Sequence, residues 1–561
     1  MDELPTARPI SLRDHWPILP IIVVATLLRL WQINESLWLD ELHSAWVVSG
    51  GIGEIVERAQ IGNQSPLYFY LPWATTSLFG MSEWALRLPS LMAGVGLVVL
   101  AYGVAVEFTR SRVAAMACAA LAALDHNFLF YSTEARPYAC VQLVAAIQLL
   151  DFWRLQAGVS VKRRVIFVAS TALLFYLHYT AILLVAGEVV YLLVRGAYRK
   201  NECAYKWRAM AVDLLCVAAM TLPVALHVLD VGSRRTAWAS FINDTALWLP
   251  VYWFSLGSYI AVPLIVCLLV SAFNVAITLR RDEPGKSGSV LKTMSENCAN
   301  VRESDASRRS VTVTVLLACW FVTPLAIVWL LTVTDVARLY LGRYVIGAAL
   351  APILLAGICV AVCRGRKRQA IAAGIIVGYA VYSSGMIQQL RYDGRLFVDR
   401  AENWCDAVRY VSDNRTWDSP VFVRSGLLEA DRLGLDSSEL LRAYCASPVA
   451  TIYRVDRPAG EIRPLTTRDA GTLTTKDVEL VEASGSAWFI INGSKTTRER
   501  CAERVVKSFA KATPMGRQEA VVHDEKQFDQ VGIFLVVLCE IDDHVTPLDD
   551  QPTSPNSIAP P

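Results

Sequence analysis

The chain has 561 residues, 54% of them hydrophobic and 19% charged, with a formal net charge of +2. Soluble chains are usually about a quarter charged, so the composition excludes an ordinary soluble protein and predicts a multi-pass membrane protein. The near-neutral balance excludes nucleic acid as a partner, and where the charges fall matters more than their sum.

In chain order, residues 1–16 read as a cytoplasmic N-terminus. The apolar run 17–33 is not followed by a small-residue cleavage site and is read as a retained first helix. A bilayer span needs roughly 20 apolar residues. Eleven candidates occur, near 17–33, 88–108, 113–131, 138–157, 165–178, 180–194, 209–229, 252–279, 311–333, 344–362 and 370–388. The fifth and sixth are short and meet at "LHYT". The apolar stretch "PLYFYLPWATTSLFG" (66–80) contains Pro72 and is too short to cross, so it is expected to lie in the interface.

Placing the N-terminus inside gives the inner segments roughly three times the Lys and Arg of the outer loops, as orientation by positive charge requires. This predicts a polytopic α-helical membrane protein with about 11 transmembrane helices, N-in and C-out, its membrane domain spanning 17–388. A large outer loop covers 34–87. The Ser-rich, charged segment 280–310 reads as a flexible cytoplasmic linker. From residue 389 to 541 the composition turns soluble. Strands are predicted at "SPVFVRS", "VATIYRV", "SAWFIIN", "QEAVVHD" and "GIFLVVLC", and helices at "NWCDAVRYV" and "RERCAERVVKSFAKA". The expectation is an extracytoplasmic α/β domain followed by a disordered, Pro-rich tail over 542–561. Cys405, Cys445, Cys501 and Cys539 fall in this region and allow two disulfides or four free thiols.

The outer loop opens with "SLWLDELHSAW" (36–46). Asp40 and Glu41 stand just outside the first span, between Trp38 and Trp46. Partial desolvation there is expected to raise a carboxylate toward neutrality, which suits a base that takes a proton from a hydroxyl. Few other ionisable residues occupy the short outer loops. "YSTEARPYA" supplies Glu134, Arg136 and Tyr138, "LHYT" supplies His178 and Tyr179, and "RLYLGRY" supplies Arg338, Arg343 and Tyr344. All are expected at the depth of Asp40. Guanidinium groups grip phosphate bidentately, so carboxylates beside arginines at a membrane surface point to a lipid-phosphate substrate. Competing readings are structural: arginines snorkelling to headgroups, His178 as an interhelical hydrogen-bonding residue, and Glu83 with Arg87 pairing across one helix turn. No Walker loop, dinucleotide fingerprint or H-E-x-x-H motif occurs.

The segments "LWLDELHSAW", "SPLYFYLPWATTSLFGMSEWALRLPSLMAGVGLVVLAYGVA" and "YSTEARPYA", in this order, resemble the polyprenyl-phosphate-sugar-dependent membrane glycosyltransferases. The nearer branch holds protein O-mannosyltransferases, the lipid A aminoarabinose transferase and lipopolysaccharide-core galacturonosyltransferases. The likeness covers about 17–190, and is weaker through "RLYLGRYVIGAALAP" and "ENWCDAVRYV". It implies a C-type glycosyltransferase fold in the cell membrane with its active site facing away from the cytoplasm. The family's first-loop catalytic aspartate falls on Asp40, with Glu41 beside it. The second-loop motif falls on Glu134, Arg136 and Tyr138, and the outer R-Y element on Arg343 and Tyr344. The chain departs at Gln64 and Ser65, where many relatives carry His, Lys or a second Pro, which puts a basic phosphate contact or metal ligand there in question.

The expected activity is inverting transfer from a polyprenyl-phosphate sugar to a lipid, glycan or protein hydroxyl. Asp40 is the expected base, with Glu41 and Glu134 catalytic beside it. Arg136, Tyr138, Arg338, Arg343 and Tyr344 would hold the donor phosphate, supported by His178, Tyr179, Glu83 and Arg87. A divalent cation, if used, would fall to Asp40, Glu41 and Glu134. The alternatives are a polytopic transporter, with Arg29, Asp125 and Glu188 as its buried charges, and a non-catalytic membrane protein with a glycan- or partner-binding outer domain.

Overall fold

The computed structural model describes residues 16–198, 205–233, 242–281, 290–396, 402–414, 419–433, 438–455, 462–469, 471–512 and 518–540. The expectations for 1–15, 282–289 and 542–561 lie outside the described residues. The chain divides into two units, Met1–Ala401 and Glu402–Pro561.

The first unit is helical at every one of the eleven apolar stretches, but their lengths differ from the expectation. Six helices among the described residues are long and apolar enough to cross a membrane: Glu83–Thr109, Tyr138–Ala157, Tyr179–Ala197, Trp207–Ser233, Ser307–Val333 and Gly342–Val362. Two more are bent pairs, Arg112–Leu124 with His126–Ser132 at 58° and Arg366–Ser383 with Met386–Asp393 at 43°. Trp16–Trp31 and Gly257–Val270 are shorter apolar helices. The remaining candidate is the helix Val161–Leu177, whose first turn carries Lys162, Arg163 and Arg164. The stretch at 66–80 is a 3₁₀ turn, Leu67–Phe69, running into the helix Tyr70–Phe79, too short to cross as its length required. The segment read as a flexible linker is helical from residue 290 onward, as part of Val290–Val333. Residues 290–310 hold no Gly or Pro, so local propensity extends the helix ahead of the apolar span.

The bend at Asp125 has a local cause. Asp125 is extended and accepts the Phe128 N–H at 2.8 Å, capping the following helix, and the Tyr259 hydroxyl donates to its other oxygen at 2.7 Å. Arg29 is fully buried and donates to the carbonyls of Ala25, Ala122 and Ala123. Both charges are thus occupied in helix ends and packing. Glu188 is buried on Leu183–Tyr198, a helix that meets Val290–Val333 closely enough that a Cβ on Gly187 would fall 2.7 Å from Cys319 O and Trp320 Cα.

The boundary of this unit lies beyond residue 389. Met386 and Leu396 are buried with Leu129, Gln32 accepts the Leu396 N–H at 2.6 Å, and Trp31 donates to Gly394 O at 3.0 Å. Residues 386–396 therefore return to the end of the first helix.

The second unit carries a five-stranded mixed sheet in the order β2-β1-β3-β5-β4. The strands are β1 (Val421–Arg424), β2 (Ile462–Pro464), β3 (Ser486–Asn492), β4 (Gln518–Phe528) and β5 (Val531–Glu540). β1 pairs parallel with β2 and β3, whereas β3, β5 and β4 pair antiparallel. Phe422, Phe489 and Phe534 stack in a row across three strands, with centroids 4.8 Å apart. The amphipathic helix Lys495–Ala512 covers this face through Cys501, Val505 and Phe509. "VATIYRV" is not a strand: the 3₁₀ turn Ser447–Val449 runs into it, and an isolated bridge joins Ala450 to Arg454. Cys405, Cys445, Cys501 and Cys539 are free thiols, so the disulfide alternative falls away.

Candidate active site around Asp40

Trp38 is extended and starts the helix Leu39–Val48, placing Asp40 and Glu41 in its first turn, where the helix dipole favours carboxylates. Successive residues on a helix point about 100° apart. Glu41 consequently faces the protein while Asp40 faces the loops that carry Arg136 and Arg343.

Glu41 forms a fork-to-fork pair with Arg87, Nε to Oε1 at 2.7 Å and Nη2 to Oε2 at 2.6 Å, with neither side chain exposed. Arg87 also donates to the carbonyls of Ile33, Glu35 and Ser36. Glu41 Oε1 additionally accepts the Ala135 N–H at 2.8 Å, and Ser44, one turn on, donates to Ala135 O at 2.7 Å. One face of the helix thereby fixes residue 135 at both its N–H and its carbonyl. The neighbouring Arg136 is held by its own carbonyl, which accepts from Ser90, itself bonded to Tyr68 at 2.9 Å.

This stitching sets Arg136 over Asp40. Its Nη1 donates to Asp40 O at 3.3 Å, and its Nη2 lies 4.0 Å from Asp40 Oδ2. Arg343, 303 residues further along the chain than Asp40, donates from Nη1 to the same Oδ2 at 3.0 Å. The Asp40 side chain is 28% exposed and that of Arg343 26%, so the pair lines an accessible surface. Burial acts to raise the Asp40 carboxyl, but Arg136 and Arg343 more than offset it and hold the group below the usual carboxylate range. The expectation that desolvation keeps Asp40 near neutrality is therefore reversed, because two guanidiniums outweigh the local dielectric.

An aromatic layer surrounds the pair. The Arg343 guanidinium lies 5.8 Å over the Tyr344 ring, and His178 sits between Tyr344 at 5.7 Å and Tyr138 at 5.9 Å. Thr180 joins them, bonded to His178 Nδ1 at 2.8 Å and donating to Tyr344 O at 2.6 Å. Burial and Arg136 push His43 down to about 3, against the pull of Asp40. His43 packs edge-on to Phe69, and Gly62 leaves room for its ring: a Cβ there would fall 2.2 Å from Cε1.

Not every expected residue joins this cluster. Arg338 is tied to Asp335 at 2.9 Å and Asn243 at 3.0 Å on an exposed surface, and makes no contact with Asp40. The Arg87 guanidinium, spaced one helix turn from Glu83, is taken by Glu41. Tyr179 bonds His227 at 2.5 Å. Glu134 is fully buried beside Arg136 and acts on it electrostatically. At the departing motif, Ser65 donates to Tyr176 O, tying the segment after the first helix to the end of Val161–Leu177. A divalent cation would need Asp40, Glu41 and Glu134 to converge. Both Glu41 oxygens are spanned by Arg87, and among the described residues no group of three His, Cys, Asp or Glu is arranged to hold a metal. The donor set does not fit a cation, and no step is routed through one.

Sequence reasoning missed a second feature of the site. Asn127, Tyr131, Trp253, Leu341, Gly342 and Ile346 form with Arg343 an open cavity of about 310 Å³. Asn127 donates to Trp253 O at 2.6 Å, and Trp253 packs on Tyr340 at 4.9 Å. The aromatic run "YWF" at 252–254 was the available signal.

Comparison with known proteins bears on this geometry. Residues 63–223 match the family model described as dolichyl-phosphate-mannose-protein mannosyltransferase. That segment includes Glu134, Arg136 and Tyr138, and excludes Asp40 and Arg343. No curated protein sequence matches the chain. The fold is shared with ArnT from Cupriavidus metallidurans, in the crystal structure bound to undecaprenyl phosphate, at 12% identity and a TM-score of 0.50, covering 92% of this chain and 97% of that one. The oligosaccharyltransferase AglB from Archaeoglobus fulgidus, in complex with an inhibitory peptide and a dolichol-phosphate, matches at 10% identity and a TM-score of 0.46, covering 96% of this chain and 76% of that one. The segment match and the ArnT fold support the resemblance to the C-type glycosyltransferases.

Proposed function

We propose that this protein is an inverting glycosyltransferase that moves a sugar from a polyprenyl-phosphate donor to a hydroxyl acceptor at the outer face of a cell membrane. The observation that carries the reading is the meeting of Asp40, Arg136 and Arg343, from three distant segments, around one carboxylate oxygen on an accessible surface. In this reading all eleven apolar stretches cross the membrane or dip into it, with the N-terminus inside and the second unit outside.

Asp40 takes the proton of the acceptor hydroxyl while the acceptor oxygen bonds to the anomeric carbon. The bond from that carbon to the phosphate oxygen breaks, and the lipid phosphate leaves with the electron pair. Attack opposite the leaving group inverts the anomeric centre. Negative charge grows on the departing phosphate, so fixed guanidiniums at Arg343 and Arg136 stabilise the transition state more than the bound donor. Glu41 is assigned to positioning, since its contacts build the loop that carries Arg136. Tyr138, Tyr344 and His178 form the aromatic wall beside the arginines.

The test is direct. Protein purified into proteoliposomes with an undecaprenyl-phosphate sugar and envelope acceptors should release undecaprenyl phosphate and label an acceptor. Absence of release from every polyprenyl-phosphate sugar offered sinks the reading.

A further inference from the structure

Asp40 and the cavity share one guanidinium. Arg343 lines the cavity of about 310 Å³, and from Nη1 it also bonds Asp40 Oδ2 at 3.0 Å. The cavity walls are mainly aromatic and aliphatic, from Tyr131, Trp253, Leu341 and Ile346, with Arg343 as the charged group. Such a lining suits an isoprenyl chain with an anion at one end, and offers little to the several hydroxyls of a sugar.

A conflict follows from the proposed chemistry. A carboxylate gripped by two guanidiniums is a weak base, yet Asp40 must take a proton. A phosphodiester entering the cavity meets the same Arg343, and phosphate accepts a guanidinium at two points where Asp40 Oδ2 accepts one. Arg136 is less free to move: its side chain is 3% exposed and it is bonded to Asp40 O.

We propose that Arg343 is exchanged between Asp40 and the donor phosphate, so that donor binding releases the acid and the donor must bind before the acceptor is activated. The exchange rests on the polyprenyl-phosphate reading. It makes Arg343 a positioning residue for Asp40 as well as a phosphate contact. The other charged or titratable groups around this pair are Arg136, His43, Tyr138, Tyr344, Tyr131, His178 and Glu134. Of these, Tyr131 also lines the cavity, as a neutral wall.

The experiment uses the full chain in nanodiscs containing undecaprenyl phosphate or, as control, undecaprenol. Infrared difference spectroscopy follows the carboxylate band that Asp40→Asn removes, across a pH titration, with lipid binding measured on the same samples. Bound undecaprenyl phosphate should move the Asp40 midpoint upward by about one pH unit or more, the size of one guanidinium's influence at this distance. Undecaprenol should not move it. In Arg343→Gln the midpoint should already be high and should ignore the lipid. Undecaprenyl phosphate bound with an unmoved midpoint overturns the exchange and leaves the donor reading standing. Failure of undecaprenyl phosphate to bind overturns both.

Discussion

Glu41 and Arg87 face each other through two hydrogen bonds of 2.6 and 2.7 Å, with neither side chain exposed to solvent. That pair separates two adjacent carboxylates into different tasks. Glu41 is built into the protein, and Asp40 is left facing the arginines of other loops.

Breaking the buried pair should cost stability rather than chemistry. Arg87→Ala or Glu41→Ala leaves one charge buried without its partner, and a loss of about 3–5 kcal/mol is expected. Glu41→Gln keeps an acceptor for the Ala135 N–H and should lose less. Thermal unfolding of the purified variants reads this order, and an Arg87→Ala variant as stable as the wild type contradicts it.

The arginines over Asp40 should act on rate. Arg343→Gln removes a preorganised donor to the leaving phosphate and should lower kcat by about 10²–10³. Arg343→Lys keeps the charge and loses the planar fork, so an intermediate loss is expected. Steady-state transfer with a fixed donor distinguishes the two, and equal activity of Gln and wild type removes Arg343 from the site.

The pH dependence has a definite sign. Asp40 is held below the usual carboxylate range, so it stays ionised until the pH falls below about 3.9, the ordinary Asp value. Its contribution to stability is present above that value and is lost as pH falls through the depressed one. The acid limb of kcat/KM, which reports the free enzyme, should lie below about 3.9 and rise in Arg343→Gln. A wild-type limb near neutrality, abolished by Asp40→Asn, contradicts the account.

Much of this was legible in the sequence. The apolar runs located the long helices described in the first unit, because crossing a bilayer demands length and apolarity together, but not the short helices Leu39–Val48 and Ile55–Ile61. Asp40 stood out beside the first span, and Arg136 and Arg343 as ionisable residues in loops expected to be short and outer. Their convergence was not legible, since it depends on Glu41 and Ser44 fixing residue 135 from another segment. Local spacing misled once. "VATIYRV" alternates like a strand, but its first residue closes the 3₁₀ turn Ser447–Val449, which contains Pro448. The strand Ile462–Pro464 is three residues long and ends in proline at a sheet edge, too brief for any periodic signal.

The most direct measurement of the central claim compares wild type and Asp40→Asn in proteoliposomes, scoring donor binding and sugar transfer on the same preparation. Loss of the general base predicts that transfer falls by about 10²–10⁴ while the donor still binds. Near-wild-type transfer by Asp40→Asn would show that this carboxylate is not the base.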